Sequence, residues 1–146
     1  METPLSVLLN EKGYTVQTAE RNDTAYECAV KMSQLKVGAL LIVEGNQLVG
    51  LVSERDILRK VVVNGKDSHQ VKVADIMSSE LITVKPTTTV REAMHIVTEK
   101  RIRHLPVLEA GKLIGLISIG DLTRSAMMWQ EQQIASLTHY IQGDHV

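Results

Sequence analysis

The sequence predicts an α+β protein made of two copies of one strand-helix-strand-strand-helix unit, followed by a C-terminal helix. Three observations predict this fold class. The segment Gly50–Asp56 (GLVSERD) returns 65 residues later as Gly115–Asp121 (GLISIGD). The flanking sequences keep that offset without a gap, over residues 16–59 and 81–124. Both copies show the apolar spacing of a helix followed by that of two short strands.

Each unit is predicted to begin with a short strand and an amphipathic helix. The strands are expected around Val16–Ala19 and Leu81–Val84. Polar residues then offer side-chain oxygens to the free amides of a helix start, at Asp23 and Thr24 in the first copy and at Thr87 to Thr89 in the second. Apolar side chains recur three and four positions apart, at Ala25, Cys28, Ala29, Met32 and Leu35, and at Val90, Ala93, Met94 and Val97.

Two apolar strands joined by a tight turn follow in each unit. The turn sequences Glu44-Gly45-Asn46 and Glu109-Ala110-Gly111 are typical of hairpins. A last helix is predicted to begin at Ser53 or Ser118. The strands themselves are expected at Ala39–Val43 and Gln47–Val52, and at Leu105–Leu108 and Lys112–Ile117.

The predicted domain boundaries follow the duplication: 1–66 for the first unit, 67–128 for the second and 129–146 for a C-terminal helical extension. One unit alone buries too little surface to be comfortably stable. The two are therefore expected to pack sheet to sheet about a pseudo-twofold axis. Polar Asn64–Gln70 is predicted to be an exposed linker. Leu5–Leu9 and Val73–Met77 are predicted to lead into the two units.

Composition excludes several classes of function. The 146 residues carry 16 Lys and Arg against 17 Asp and Glu, which argues against broad attachment to nucleic acid. One cysteine cannot form an internal disulfide. The N-terminus lacks the pattern of a signal peptide, and no apolar run is long enough to span a bilayer. The expected compartment is the cytoplasm.

Several motifs in the right order give the repeat a family resemblance. It resembles the CBS (cystathionine-β-synthase) domain, and the chain resembles a small stand-alone CBS pair of the bacterial or plant-organelle type. The resemblance covers about residues 5–125. It rests on Ala74–Met77, Ile82–Pro86, Val90–Met94, Arg101–Val107 and Gly115–Asp121.

The Ser-x-x-Asp motif within each copy has two interpretations. A serine and free amides at a strand-to-helix junction can bind a phosphate, and an aspartate one turn later can accept hydrogen bonds from a ribose diol. In the second interpretation the serine and aspartate only cap the helix. The residues of one copy alone favour the cap. The resemblance favours a nucleotide, because nucleotide-binding CBS pairs use this serine for phosphate and this aspartate for ribose.

The resemblance implies two clefts that each draw on both repeats. Because Arg103 and His104 correspond to Gly38 and Ala39, the two clefts are expected to differ in affinity. In one cleft, Ser118, Ile119, Gly120 and Asp121 would be completed by Gln17, Val37, Gly38 and Ala39. In the other, Ser53, Arg55 and Asp56 would be completed by Ile82, Ile102, Arg103, His104 and Pro106.

The expected function is a regulatory module, not an enzyme, that binds an adenine nucleotide and transmits its presence to a dimer or partner interface. AMP is the first candidate ligand; ADP, ATP, NAD and S-adenosylmethionine are further candidates, and energy sensing is the implied role. The alternative is a ligand-independent structural adaptor. Neither a catalytic nucleophile nor paired histidines with zinc spacing is present, and Cys28 is expected in the core.

The C-terminal helix is predicted over Leu122–Ile141, with Gly143 as its stop. Met127, Ile134, Leu137 and Ile141 share one stripe of it. This stripe could cover its own monomer or form a dimer contact. A homodimer is expected, because the resemblance implies association into a flat four-repeat disc.

Overall fold

The computed structural model describes residues 2–141, and it confirms the α+β class. A π-helical segment, Leu58–Val62, continues the short helix α3, and a 3-10 turn covers Val73–Asp75. In chain order the helices and strands are α1 (Leu5–Lys12), β1 (Thr18–Glu20), α2 (Ala25–Leu35), β2 (Ala39–Glu44), β3 (Gln47–Ser53), α3 (Glu54–Ile57), α4 (Val90–Lys100), β4 (His104–Glu109), β5 (Lys112–Ser118) and α5 (Ile119–Ile141).

The chain divides into two compact units that exchange their leading segments. The Asp121 unit contains the described residues 2–14, 84–107 and 115–141. The Asp56 unit contains residues 15–83 and 108–114. Helix α1 precedes the first sequence copy, yet it belongs to the unit of the second copy. The boundaries predicted at 1–66 and 67–128 therefore describe the duplication, whereas the compact units combine parts of both ranges.

Helices α2 and α4 begin and end in the same way. Thr24 accepts a hydrogen bond from the Glu27 amide at 3.1 Å, and Thr89 accepts one from the Glu92 amide at 3.1 Å. Such a cap contributes about 1 kcal/mol. Each helix then ends at a left-handed residue 65 positions from its counterpart, Lys36 (φ 56°) or Arg101 (φ 54°). The predicted apolar faces are buried at Ala25, Cys28, Met32, Val90, Ala93 and Val97, and half-buried at Ala29 and Met94. Leu35, predicted on the same face, is 40% exposed at the end of α2.

The two sheets differ, and this corrects one expectation. In the first sheet β1 runs parallel to β2, and β2 pairs antiparallel with β3. The second sheet contains only β4 and β5. The strand predicted at Leu81–Val84 is absent as a strand, and an isolated parallel bridge from Val84 to Val107 remains there.

A proline in the second copy removes one hydrogen bond of the missing strand. In the first copy the Leu41 amide donates a hydrogen bond to the Gln17 carbonyl, 3.1 Å away, which ties the start of β1 to β2. The counterpart of Leu41 is Pro106, which has no N–H to donate. The Pro106 carbonyl still accepts from the Val84 amide at 3.0 Å, in line with the isolated bridge between Val84 and Val107.

Each leading segment is anchored inside its unit. In the Asp56 unit, the Val73 amide donates to the Asp23 carbonyl at 2.8 Å, and Val73 lies in the buried core. In the Asp121 unit, the Leu5 amide donates to the Thr88 carbonyl at 2.8 Å. Fully buried Leu9 lies against Gly115, where an added Cβ would come within 2.6 Å of a leucine methyl. Helix α1 is therefore packed as tightly as a core element.

Helix α5 is continuous from Ile119 to Ile141, so the extension predicted from residue 129 is the second half of one helix. The stripe predicted on it is exposed, at Met127, Ile134, Leu137 and Ile141. The predicted stop at Gly143 lies outside the described residues.

Candidate functional site

The Ser-x-x-Asp motif of the first copy forms a reciprocal cap at the end of β3. The Asp56 carboxylate accepts from the Ser53 amide at 2.9 Å and from the Ser53 hydroxyl at 3.1 Å. The Asp56 amide donates back to the Ser53 hydroxyl oxygen at 3.2 Å. The Glu54 amide donates to the Gly38 carbonyl at 3.0 Å, so the motif lies against the start of β2 in its own repeat.

The second copy repeats this geometry in the Asp121 unit. The Asp121 carboxylate accepts from the Ser118 amide at 2.8 Å, and the Asp121 amide donates to the Ser118 hydroxyl oxygen at 3.2 Å. The Ile119 amide donates to the Arg103 carbonyl at 2.9 Å. Arg103 holds the position of Gly38, so one motif lies beside a cationic residue where the other lies beside a glycine.

A lysine contacts each motif aspartate, but the two lysines come from different places. Lys60, four residues after Asp56, places Nζ 3.2 Å from its Oδ1 and 2.8 Å from the Ile76 carbonyl oxygen. Lys12, on the last turn of α1, places Nζ 2.6 Å from Asp121 Oδ2 and 2.7 Å from the Leu116 carbonyl oxygen. In both units one ammonium group joins the aspartate to a backbone carbonyl.

The Asp121 carboxyl is held in its charged form. Burial alone would raise its pKa, but hydrogen bonds from Lys12 and Ser118 and the charge of Lys12 outweigh it, so the pKa is lowered from the ordinary value. Its side chain is 12% exposed, against 15% for Asp56. Both carboxylates are therefore largely buried but still reach solvent.

The predicted site residues divide between the two units. The cross-repeat composition of each cleft remains a prediction. Arg55, Arg103, Ile119 and Gly120 are exposed, whereas Ala39 and Pro106 are buried within their strands and the others are half-buried. The Asp121 unit holds Ser118, Ile119, Gly120, Asp121, Ile102, Arg103, His104 and Pro106; the Asp56 unit holds Ser53, Arg55, Asp56, Gln17, Val37, Gly38, Ala39 and Ile82.

Sequence reasoning missed Lys12. The residue lies 109 positions from Asp121 and outside the duplicated segment, so no local pattern joins the two. The alignment of the two copies gives one indirect indication of Lys12. The counterpart of Lys60 is Ser125, so the second copy lacks the local lysine of the first.

The Asp121 unit also contains a cavity of about 370 Å³ beside this ion pair. Its walls come from Thr3, α1 and α5, and they combine apolar side chains with both members of the ion pair. The lining residues are Thr3, Val7, Leu8, Glu11, Lys12, Asp121, Arg124, Ser125, Met128, Trp129 and Gln132.

The described residues hold no cluster suited to a metal ion, and their one thiol is buried. Among residues 2–141 no three His, Cys, Asp or Glu side chains are grouped so that they could hold a metal ion. Burial, together with Asp23 and Glu27, raises the pKa of the Cys28 thiol to about 11, despite the opposing charge of Lys31. Cys28 is thus a core residue and not a nucleophile. No described helix has the length and apolarity needed to cross a membrane.

Comparison with known proteins identifies the class of fold. The sequence profile of the CBS domain matches residues 14–63 and 73–127, and the chain belongs to the CBS-domain family with two domains in tandem. This confirms the resemblance seen in the sequence. Paired CBS domains are generally regulatory and often bind nucleotides.

Individual relatives support the same assignment. The mitochondrial CBS domain-containing protein CBSX3 of Arabidopsis thaliana is 40% identical, over 98% of this chain and 74% of its own length. A proposed signal-transduction protein with CBS domains from Burkholderia ambifaria MC40-6 superimposes with a TM-score of 0.83 at 42% identity, over 86% of this chain and 95% of that one. A hexameric CBS-CP12 protein from cyanobacteria gives a TM-score of 0.70 at 28% identity, over 75% of this chain and 65% of that one.

Proposed function

We propose that this protein is a non-catalytic regulatory module that binds an adenine nucleotide at its Ser-x-x-Asp motifs. The observation that carries the proposal is the pair of half-buried carboxylates, Asp56 and Asp121, held at equivalent strand-to-helix junctions. A carboxylate at such a position can accept both hydroxyls of a ribose. The adjacent serine and first-turn amides can bind a phosphate. AMP is the first candidate, followed by ADP, ATP, NAD and S-adenosylmethionine.

The two motifs are proposed to bind with different affinities. Arg103 and His104 stand where the first copy has Gly38 and Ala39, so a guanidinium and an imidazole occur at the start of β4, where the start of β2 has neither. A cation near a phosphate strengthens binding. The resemblance places these two side chains in the cleft of Asp56, and this placement is part of the proposal.

A second candidate function is a ligand-independent adaptor. It is favoured by the reciprocal hydrogen bonds within each motif, since serine and aspartate satisfy each other as helix caps without any ligand. A purified protein that carries no nucleotide, and whose melting temperature is unchanged by all five candidates, would support the adaptor over the nucleotide module.

Calorimetry with AMP and 2′-deoxy-AMP tests the ribose contact. Replacing Asp121 by asparagine preserves an acceptor for the Ser118 amide but removes the charge that would bind the diol. A hydrogen bond to a charged group is worth about 1.5–3 kcal/mol, so AMP should bind about 10- to 150-fold more weakly to Asp121→Asn. Asp67→Asn, at an exposed aspartate of the linker, is the control. Equal affinity of wild type and Asp121→Asn for both nucleotides would contradict the ribose assignment.

The transmitting surface is proposed to be the exposed stripe of α5, acting in a homodimer. Met127, Ile134, Leu137 and Ile141 are exposed on one face of α5, and an exposed apolar face of this kind is commonly covered by a partner. The similar CBS-CP12 protein is itself hexameric. Ile134→Asp should shift sedimentation toward the monomer, whereas Ser136→Asp on the opposite side should not. An unchanged sedimentation coefficient for Ile134→Asp would exclude this surface.

The cytoplasm remains the proposed compartment. The mitochondrial location of the Arabidopsis relative makes an organelle the competing possibility. Fractionation of the native cell with an antibody to this chain distinguishes the two.

A further inference from the structure

Lys12 reaches Asp121 only because α1 is docked. The backbone of α1 is fixed at its first turn by the Leu5 amide on the Thr88 carbonyl, 2.8 Å away, and buried Leu9 packs on Gly115. The last turn then carries the Lys12 ammonium to 2.6 Å from Asp121 Oδ2. Helix α1 lies outside the segments that match the CBS domain, which begin at residue 14.

The lysine replaces one that the second copy lacks. Asp56 has Lys60 one turn later on the same segment, and the equivalent position after Asp121 is Ser125. Ser125 and Lys12 line the same cavity. A charge that the first copy supplies locally is therefore supplied in the second by a separate helix.

The acceptor positions on Asp121 are partly occupied. Oδ2 accepts from the Ser118 amide at 2.8 Å and from Lys12 at 2.6 Å, which fills its two lone pairs. Among residues 2–141, the contact of Oδ1 is with the Arg124 guanidinium at 3.5 Å. A sugar diol that uses both carboxylate oxygens must therefore take the position that Lys12 holds on Oδ2.

We propose that Lys12 is a further residue of the Asp121 site and that a ribose diol displaces its ammonium group from Oδ2. We call the contact between Lys12 and Asp121 the latch. Its displacement links ligand binding to the docking of the last turn of α1. This rests on the proposed role of Asp121 as the ribose acceptor. Linkage is reciprocal, so whatever undocks α1 also strengthens ribose binding. At Asp56 the displaced lysine belongs to the same segment as the aspartate, so no separate element would be released.

Adenosine is the probe that isolates the competition, because it has the diol but no phosphate for Lys12 to attract. The assay uses calorimetry on the full chain with Asp56→Asn as background, so that only the Asp121 motif is measured. Lys12→Met should bind adenosine about three- to tenfold more tightly, the range expected for release of a partly exposed ion pair. Adding Ser125→Lys to Lys12→Met should return the affinity toward that of the background. Glu11→Gln, on the same turn of α1, is the control for nonspecific effects.

Hydrogen exchange distinguishes a lysine that the ligand displaces from a lysine that only stabilises the fold. The Gly13 amide, which donates to the Leu9 carbonyl at 2.7 Å, reports the last turn of α1. Saturating adenosine should speed its exchange about three- to tenfold in the Asp56→Asn background and leave it unchanged in Lys12→Met on that background.

The outcomes separate the two proposals. Adenosine and AMP binding that does not depend on Asp121 overturns the ribose assignment and the latch together. Binding that depends on Asp121, with equal or weaker affinity in Lys12→Met or with no change in exchange at Gly13, overturns the latch alone. Because Lys12→Met could loosen α1 by itself, its exchange without ligand is measured first, and Lys12→Arg, which keeps the charge, should restore the affinity of the background.

Discussion

The Asp56 and Asp121 regions show how one sequence motif acquires two different surroundings after duplication. Both present the same serine–aspartate cap and both join the carboxylate to a lysine. The Asp56 carboxylate contacts Ser53 and Lys60, which lie within four residues of it, whereas Asp121 contacts a lysine on a helix more than 100 residues away. The first region is therefore a local structure, and the second is a tertiary contact that can form or break as a unit.

The largest expected effect comes from breaking the attachment of α1. Leu9→Ala removes a fully buried side chain that packs on Gly115, so we expect a loss of about 2–5 kcal/mol in the free energy of unfolding. Val7→Ala, on the same helix but 39% exposed, should cost less than about 1 kcal/mol. Urea unfolding of both variants measures the difference. Similar costs for the two variants would mean that α1 is not anchored through Leu9.

The contrast between the two sheets can be tested by giving the first copy the proline of the second. Leu41→Pro deletes the amide that donates to the Gln17 carbonyl, and leaving that carbonyl unpaired should contribute about 1–3 kcal/mol of destabilisation. Leu41→Val keeps the amide and is the control. Amide exchange should show loss of protection in β1 for the proline variant alone. Protection retained in β1 would contradict our account of the missing second strand.

Acid titration should separate Asp121 from an ordinary surface aspartate. Its pKa is lowered in the folded protein, so the charged carboxylate stabilises the fold above the unfolded value of about 3.9, and this contribution disappears as the pH falls through the folded pKa. Lys12 is 38% exposed, which reduces the expected contribution by screening to about 1 kcal/mol. Asp121→Asn should therefore be less stable at pH 7 and indistinguishable from wild type below the folded pKa. A difference that is independent of pH would point to the cap and not to the charge.

The smallest effect is expected at Arg124. Its guanidinium lies 3.5 Å from Asp121 Oδ1 and its side chain is 70% exposed, so Arg124→Ala should change stability by less than about 0.5 kcal/mol. Thermal unfolding of Arg124→Ala and of Lys12→Met compares the stability that each contact contributes. An equal loss in the two variants would show that Asp121 is paired as strongly with Arg124 as with Lys12.

The sequence predicted the features that depend on residues close together in the chain. The duplication, both hairpins and the caps at Thr24 and Thr89 follow from spacing and from side chains a few positions apart. The alignment of Pro106 with Leu41 could predict the loss of a hydrogen bond between strands. That prediction requires knowing that the Leu41 amide donates such a bond in the first copy. The contact between Lys12 and Asp121 could not be predicted in this way, because it depends on which unit α1 packs against.

The exchange of leading segments also sets an order in which the chain can fold during synthesis. Almost all of the Asp56 unit lies in residues 15–83, so most of its contacts can form before the second copy has been made. Helix α1 precedes both copies in the chain, yet its contacts with Thr88, Gly115 and Asp121 must wait until those residues, up to 109 positions later, have been made. Closing so long a loop costs entropy and time. Until then the buried face of α1 has no native partner, which leaves its apolar side chains open to chaperones and to aggregation.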